Sequence, residues 1–236
     1  MKNKKQKNKE DKEQEDKIKK QETSQEKQAM IIIGIMLIII LIVVGTYYGI
    51  KASNKFTYMG MSVKKIKYGK ILLYSMDVPL LDESKQNIVG YLNIDFRNDP
   101  RKLKDISVEL IDDTKGIEII GNKAYVGITE PILKCEDTMI ALGNLGLFFS
   151  KTGMAVESGI NNQTFANENN STYISCNDAS SEKTVIIFSS GDETSIKENI
   201  ENCYEISFKD CEDVTKPTEK FVLSMFEHHM EKNNLI

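Results

Sequence analysis

Two arginines, Arg97 and Arg101, stand four positions apart in Arg97-Asn98-Asp99-Pro100-Arg101, in a chain whose other 29 basic residues are lysines. A guanidinium presents a planar fork that pairs with carboxylate or phosphate through two parallel hydrogen bonds. The intervening Asn-Asp-Pro is turn chemistry, with Asp99 able to cap backbone amides. Two readings stand. Arg97, Asp99 and Arg101 form an anion-binding corner, or an arginine is salt-bridged to a nearby acid and closes a β-layer turn. A second run, Ser189-Ser190-Gly191-Asp192-Glu193-Thr194, follows the apolar stretch 185–188 and is predicted to open a short helix over 194–200. Ligands gather at the carboxyl ends of such strands and at helix amino termini, which makes Ser190 and Asp192 candidate contacts. The run is neither a Walker loop nor G-x-S-x-G, its acids repel phosphate, and no histidine neighbours it in sequence. No residue is therefore assigned a catalytic role. A membrane-tethered hydrolase using residues 189–193 is the alternative to a binding domain.

Cys135, Cys176, Cys203 and Cys211 all fall in the last part of the chain. Without a C-x2-C pair they match neither a zinc site nor a dithiol redox motif, so no metal is expected. Four thiols outside a cell make two disulfides in one of three pairings. Nearness along the chain favours Cys203 with Cys211 and Cys135 with Cys176. His228-His229, the only histidines, point about 100° apart on a helix and cannot easily share a metal; they read as cations at a helix carboxyl end. No cofactor pattern is present.

The run Arg97-Asn98-Asp99-Pro100-Arg101-Lys102-Leu103, the Cys203-Tyr204 strand start and Thr218-Glu219-Lys220-Phe221 together resemble uncharacterised single-pass membrane-anchored proteins of small-genome archaea. The resemblance covers most of the region after residue 55 and implies a source and a location, but no activity.

The elements that must position these residues divide the chain unevenly. Residues 29–50 carry no charge and, as a helix, reach about 33 Å, enough to cross a hydrocarbon core of about 30 Å. Tyr47 and Tyr48 sit where an interfacial aromatic belt belongs. The run is too long and its leader too polar for a cleaved signal, so it reads as a signal anchor. Residues 1–28, with 10 lysines and 7 acids, form a disordered charged tail held in the cytoplasm. Gly45-x-x-x-Gly49 has the spacing of a helix-dimer seam, which makes a homodimer the corresponding expectation.

A linker over 51–55 leads into an α+β region. Residues 56–130 read as a β-rich layer, with strands over 56–61, 70–78, 88–97, 106–111, 117–120 and 123–128. Residues 131–236 read as an α/β portion: a buried central helix over 135–150, a strand over 185–188, the helix over 194–200, a strand over 204–208, and a last helix over 213–231. The middle three make a β-α-β unit, parallel and right-handed. Between them lies a polar loop with N-x-S/T patterns at Asn162, Asn169 and Asn170, surface sites for glycosylation.

Residues 29–236 hold 21 basic and 28 acidic side chains, which argues against nucleic acid as a partner. The bilayer and another envelope protein are the partners expected, for a binding domain or for the subunit of an oligomeric scaffold. Protease added to intact cells should remove the large carboxyl-terminal portion and spare residues 1–28. Full protection, beside an outward-facing control that is digested, would reject this orientation.

Overall fold

The computed structural model describes Met30 and residues 33–49, 54–82, 87–233 and 235. The tail over 1–28, most of the linker and both ends of the apolar run lie outside the described residues. Two compact units emerge, Met1–Ser53 and Asn54–Ile236. In the first, residues 33–49 form a helix, α1, with exposed aliphatic side chains and the Tyr47 and Tyr48 rings edge to face. Among the described residues no helix is long and apolar enough to cross a membrane.

The second unit is α+β, as expected. It opens with an antiparallel meander: β1 (Lys55–Tyr58), β2 (Met61–Tyr68), β3 (Ile71–Leu81) and β4 (Ile88–Phe96). The strand predicted over 56–61 is broken by Met59 and Gly60, both at positive φ, which form the two-residue turn between β1 and β2. β2 itself was not anticipated. Its buried Met61 and Val63 alternate with polar residues, but three lysines at 64, 65 and 67 blur the period.

A mixed six-stranded sheet follows, built from β5 (Ser107–Glu109), β6 (Lys123–Ile128), β7 (Ala155–Ile160), β8 (Thr184–Ser190), β9 (Ser195–Ile200) and β10 (Cys203–Phe208), in the order β5-β9-β10-β8-β6-β7. The passage between sheets falls after β4 and not near residue 130. Residues 117–120 are not a strand. Ile117 is buried in the core and the Ile120 amide donates to Thr184 Oγ1.

The helix predicted over 194–200 is instead β9. Ile196 and Ile200 carry a helical i, i+4 spacing, but β9 gains two partners, antiparallel β10 and parallel β5. β8 and β10 are parallel as predicted, yet what joins them is a strand. The β-α-β unit lies elsewhere: β6, helix α2 (Thr138–Lys151) and β7, with β6 and β7 parallel. β8 is covered on both faces. Ile186 and Phe188 enter the main core, while Val185 and Ile187 pack with Ile174 and Cys203.

The central helix is not α2, which buries one face through Ala141, Leu145, Phe148 and Phe149 and leaves Met139 and Leu147 in solvent. It is the last, α4 (Thr215–Lys232), after the six-residue α3 (Gln163–Glu168). Seven consecutive residues of α4, 217 to 223, are buried, two full turns with no wet face. That follows from its place between layers: it packs on β9 and β10 and is bonded to the meander from its other side.

Those bonds use charged groups. Glu219 Oε1 accepts from the Arg97 amide at 2.6 Å, and Oε2 accepts from the Asn98 amide at 2.9 Å and Asn98 Nδ2 at 2.8 Å. Burial pushes the Glu219 carboxyl above its usual range, and these donors pull it back. Lys220 pairs with Glu227 at 2.9 Å, and Glu227 accepts from the Tyr58 hydroxyl of β1 at 2.6 Å.

The disulfides join Cys135 to Cys211 and Cys176 to Cys203, not Cys203 to Cys211 and Cys135 to Cys176 as expected. Cys203 begins β10 and Cys211 lies beyond its end, so about 20 Å of extended strand separates them. Parallel β6, β8 and β10 bring together the cysteines that follow strands, Cys135 and Cys211, and those that precede them, Cys176 and Cys203.

Glu219→Ala should lower stability by roughly 2–4 kcal/mol, since two backbone amides lose their acceptor inside the fold. The measurement is the urea midpoint of the detergent-solubilised chain. A midpoint within error of wild type would show that the clamp contributes little.

Candidate functional site

The two arginines have separate tasks. Asp99 is buried, caps the short 3-10 turn Pro100–Lys102, and accepts from the Arg101 amide at 3.1 Å, Nε at 2.9 Å and Nη2 at 2.6 Å. The Arg101 hydrogen bonds hold the Asp99 carboxyl below its ordinary range. The guanidinium also stacks on the Phe56 ring, 4.0 Å from its centroid. The fork of Arg101 is thus occupied from within the corner. Arg97 serves through its backbone amide to Glu219, and its side chain borders a cavity of about 190 Å³ with Asn144 and Lys151.

Ser190 and Asp192 are exposed at the end of β8, in a connection that runs into strand β9 and not into the expected helix. Gly191 is held by its amide to the Phe208 carbonyl. Among the described residues no hydrogen bond or ion pair joins either arginine to Ser190 or Asp192. The sequon asparagines are all exposed around α3. Asn162 caps it by accepting from the Phe165 amide, Asn169 donates its amide nitrogen to the Phe165 carbonyl, and Asn170 has φ +49°.

What the structure does bring together went unpredicted. A cleft of about 530 Å³ lies among the end of β3, residues 117–119, α2 and the last turns of α4. Its apolar lining comes from Leu80, Leu81, Ile117, Ile119, Phe148, Met154 and Met225, and its polar lining from Asp82, Glu118, Thr152, His228, His229, Lys232 and Asn233. Such a volume is that of a small-ligand or peptide pocket.

Glu118 Oε1 lies 3.4 Å from His228 Nε2, close enough for an ion pair but not aligned as a hydrogen bond, and Lys232 Nζ makes a short bond to the same oxygen. The His228 ring rests on Gly116, φ +63°, where any Cβ would collide with the imidazole. His229 belongs to the helix end, its carbonyl accepting from Asn233 Nδ2 at 2.7 Å. The Lys232 hydrogen bond holds the Glu118 carboxyl below its usual range against the opposing effect of partial burial, with a smaller pull from His228.

The cluster resembles the base half of a nucleophile–base pair without the nucleophile. Thr152 is the one hydroxyl among the lining residues described, and it donates to the Phe149 carbonyl at 2.9 Å. Among the described residues no group of three His, Cys, Asp or Glu side chains is placed to hold a metal. The arrangement can bind: its apolar floor takes apolar groups, and its rim offers a carboxylate, an imidazole and an ammonium. Residue types alone could not have pointed here, since Glu118 and His228 are 110 positions apart.

No family model matches the chain, and no curated protein or solved structure matches it either.

Because folding depresses the Glu118 pKa, its contribution to stability is present above the unfolded value and is lost as pH falls through the folded one. Lys232→Met should therefore cost under about 1 kcal/mol at pH 7, both partners being half-exposed, and nothing near pH 2. Unfolding midpoints at the two pH values check this. An equal loss at both would assign Lys232 a packing role.

Proposed function

We propose that the chain is a single-pass membrane protein with its amino terminus in the cytoplasm. Its outside domain binds a segment of another envelope protein in the cleft and performs no chemistry on it. The membrane part rests on the uncharged run 29–50 and on the aliphatic side chains that α1 leaves exposed on every face. A helix apolar all round needs a lipid or protein surrounding. Two disulfides suit the oxidising side of that membrane. The setting implied by the resemblance, an archaeal envelope, agrees with this. Gly45 and Gly49 have open space at their Cβ positions, which leaves room for a second α1 along that face.

The observation that carries the binding reading is the composition of the cleft. Its floor includes Met154 and Met225, whose unbranched thioethers adapt to irregular partners, and its rim holds the Glu118–His228–Lys232 cluster. The hydrolase alternative has lost its helix amino terminus, and Ser190 lies in solvent.

A photocrosslinking side chain at Met225, in the full chain in native membranes, should give one discrete higher-mass adduct. The same group at Ser190 should give none. Adducts of the same mass from both positions, or from Ser190 alone, would reject the cleft as the binding site.

A further inference from the structure

The β2–β3 hairpin ends in Tyr68-Gly69-Lys70-Ile71, with Tyr68 opposite Ile71. Its tip is apolar and exposed on both faces of the ribbon: Tyr68 is 67%, Ile71 46% and Leu72 44% accessible. Lys67 and Lys70 beside them are exposed as well. Residues 51–76 hold six lysines and no acid, whereas 77–236 hold 15 basic and 28 acidic residues. An aromatic and aliphatic tip ringed by lysine, on an otherwise acidic domain, is complementary to an anionic lipid surface.

Chain geometry supplies the second argument. β1 pairs with β2 through Lys55 and Lys64, and the Lys65 amide donates to the Asn54 carbonyl at 2.8 Å. The chain therefore enters this unit from the side on which the hairpin projects. From Lys64 to Tyr68 the ribbon extends about 13 Å further.

We propose that the β2–β3 hairpin tip, Tyr68 to Leu72 with Lys67 and Lys70, docks into the headgroup region of an anionic bilayer. The proposal rests on the membrane-anchored reading above. It also fixes an orientation, because Ile71 and Leu81 end the same strand about 33 Å apart, so a tip in the headgroups directs the Leu80–Leu81 end of the cleft away from the membrane.

The chain has no tryptophan, so a single one is an unambiguous reporter. Tyr68→Trp and, as a control, Tyr91→Trp at the far end of the meander would each be placed in the full-length protein. Each is reconstituted into phosphatidylcholine vesicles with and without about 30% phosphatidylglycerol, carrying brominated lipid. The reporter at position 68 should be blue-shifted and quenched at least about twofold more than the one at 91 in anionic vesicles. Adding Lys67→Glu and Lys70→Glu should remove the dependence on anionic lipid. Equal quenching at 68 and 91 in protein that floats with the vesicles overturns the hairpin proposal alone. A blue shift at 68 of the same size with and without anionic lipid overturns it too. Protein that does not float at all overturns the anchored reading, and this one with it.

Discussion

A carboxylate buried between two sheets organises this domain. Glu219 sits in the second turn of α4, within the stretch 217–223 that has no wet face, and accepts three hydrogen bonds from the turn that ends the first sheet. An ionised group in such a place is costly unless its oxygens are satisfied, and one partner removed would leave the others unpaired. The interaction is specific because it is expensive to make imperfectly. Only one placement of the Arg97–Asn98 turn against α4 presents both amides to the same side chain. The Lys220–Glu227–Tyr58 chain ties β1 to the same helix in a similar way. The apolar core shared by the two sheets supplies the bulk of the driving force, while these polar links select how the layers meet.

The same corner explains the paired arginines. Arg101 neutralises Asp99 and stacks on Phe56, which stiffens the turn whose amides Glu219 needs. Arg97 enters the clamp by its backbone, so its side-chain type matters less there than its place in the chain. Rigidity at this point also bears on the cleft, because α4 carries both Glu219 and, further along, Met225, His228 and Lys232. The disulfides reinforce the other layer. One closes each end of the parallel ladder, and the loops they constrain, 76 and 27 residues, cover most of the second sheet.

Cleft and hairpin tip lie toward opposite ends of β3, and that separation makes the two proposals compatible. The lysine-rich end lies where the chain enters the domain, and the acidic remainder extends beyond it. Such a charge division suits the proposed docking of the hairpin tip on an anionic surface.

Much was legible residue by residue where local pattern and tertiary demand agree. β6 falls on its predicted residues, β8 was recognisable as a strand covered on both faces, and β10 and α4 lie within a residue or two of expectation. The apolar run 29–50, the charge division and the capacity for two disulfides are likewise properties of composition and order alone. Tertiary structure decided the rest wherever the deciding partner is distant in the chain. The i, i+4 isoleucines of 194–200 are compatible with helix or strand, and pairing with β5 and β10 chose strand. Cysteine pairing followed the parallel direction of strands, so that Cys135 bonds Cys211, 76 positions away, and not the nearer Cys176. The burial of Glu219 has no local signature, because its partners, Arg97 and Asn98, come within reach only once the helix packs beside the turn that ends the first sheet. Backbone hydrogen bonding and burial are long-range constraints, and a linear pattern records them only when they coincide with a local period.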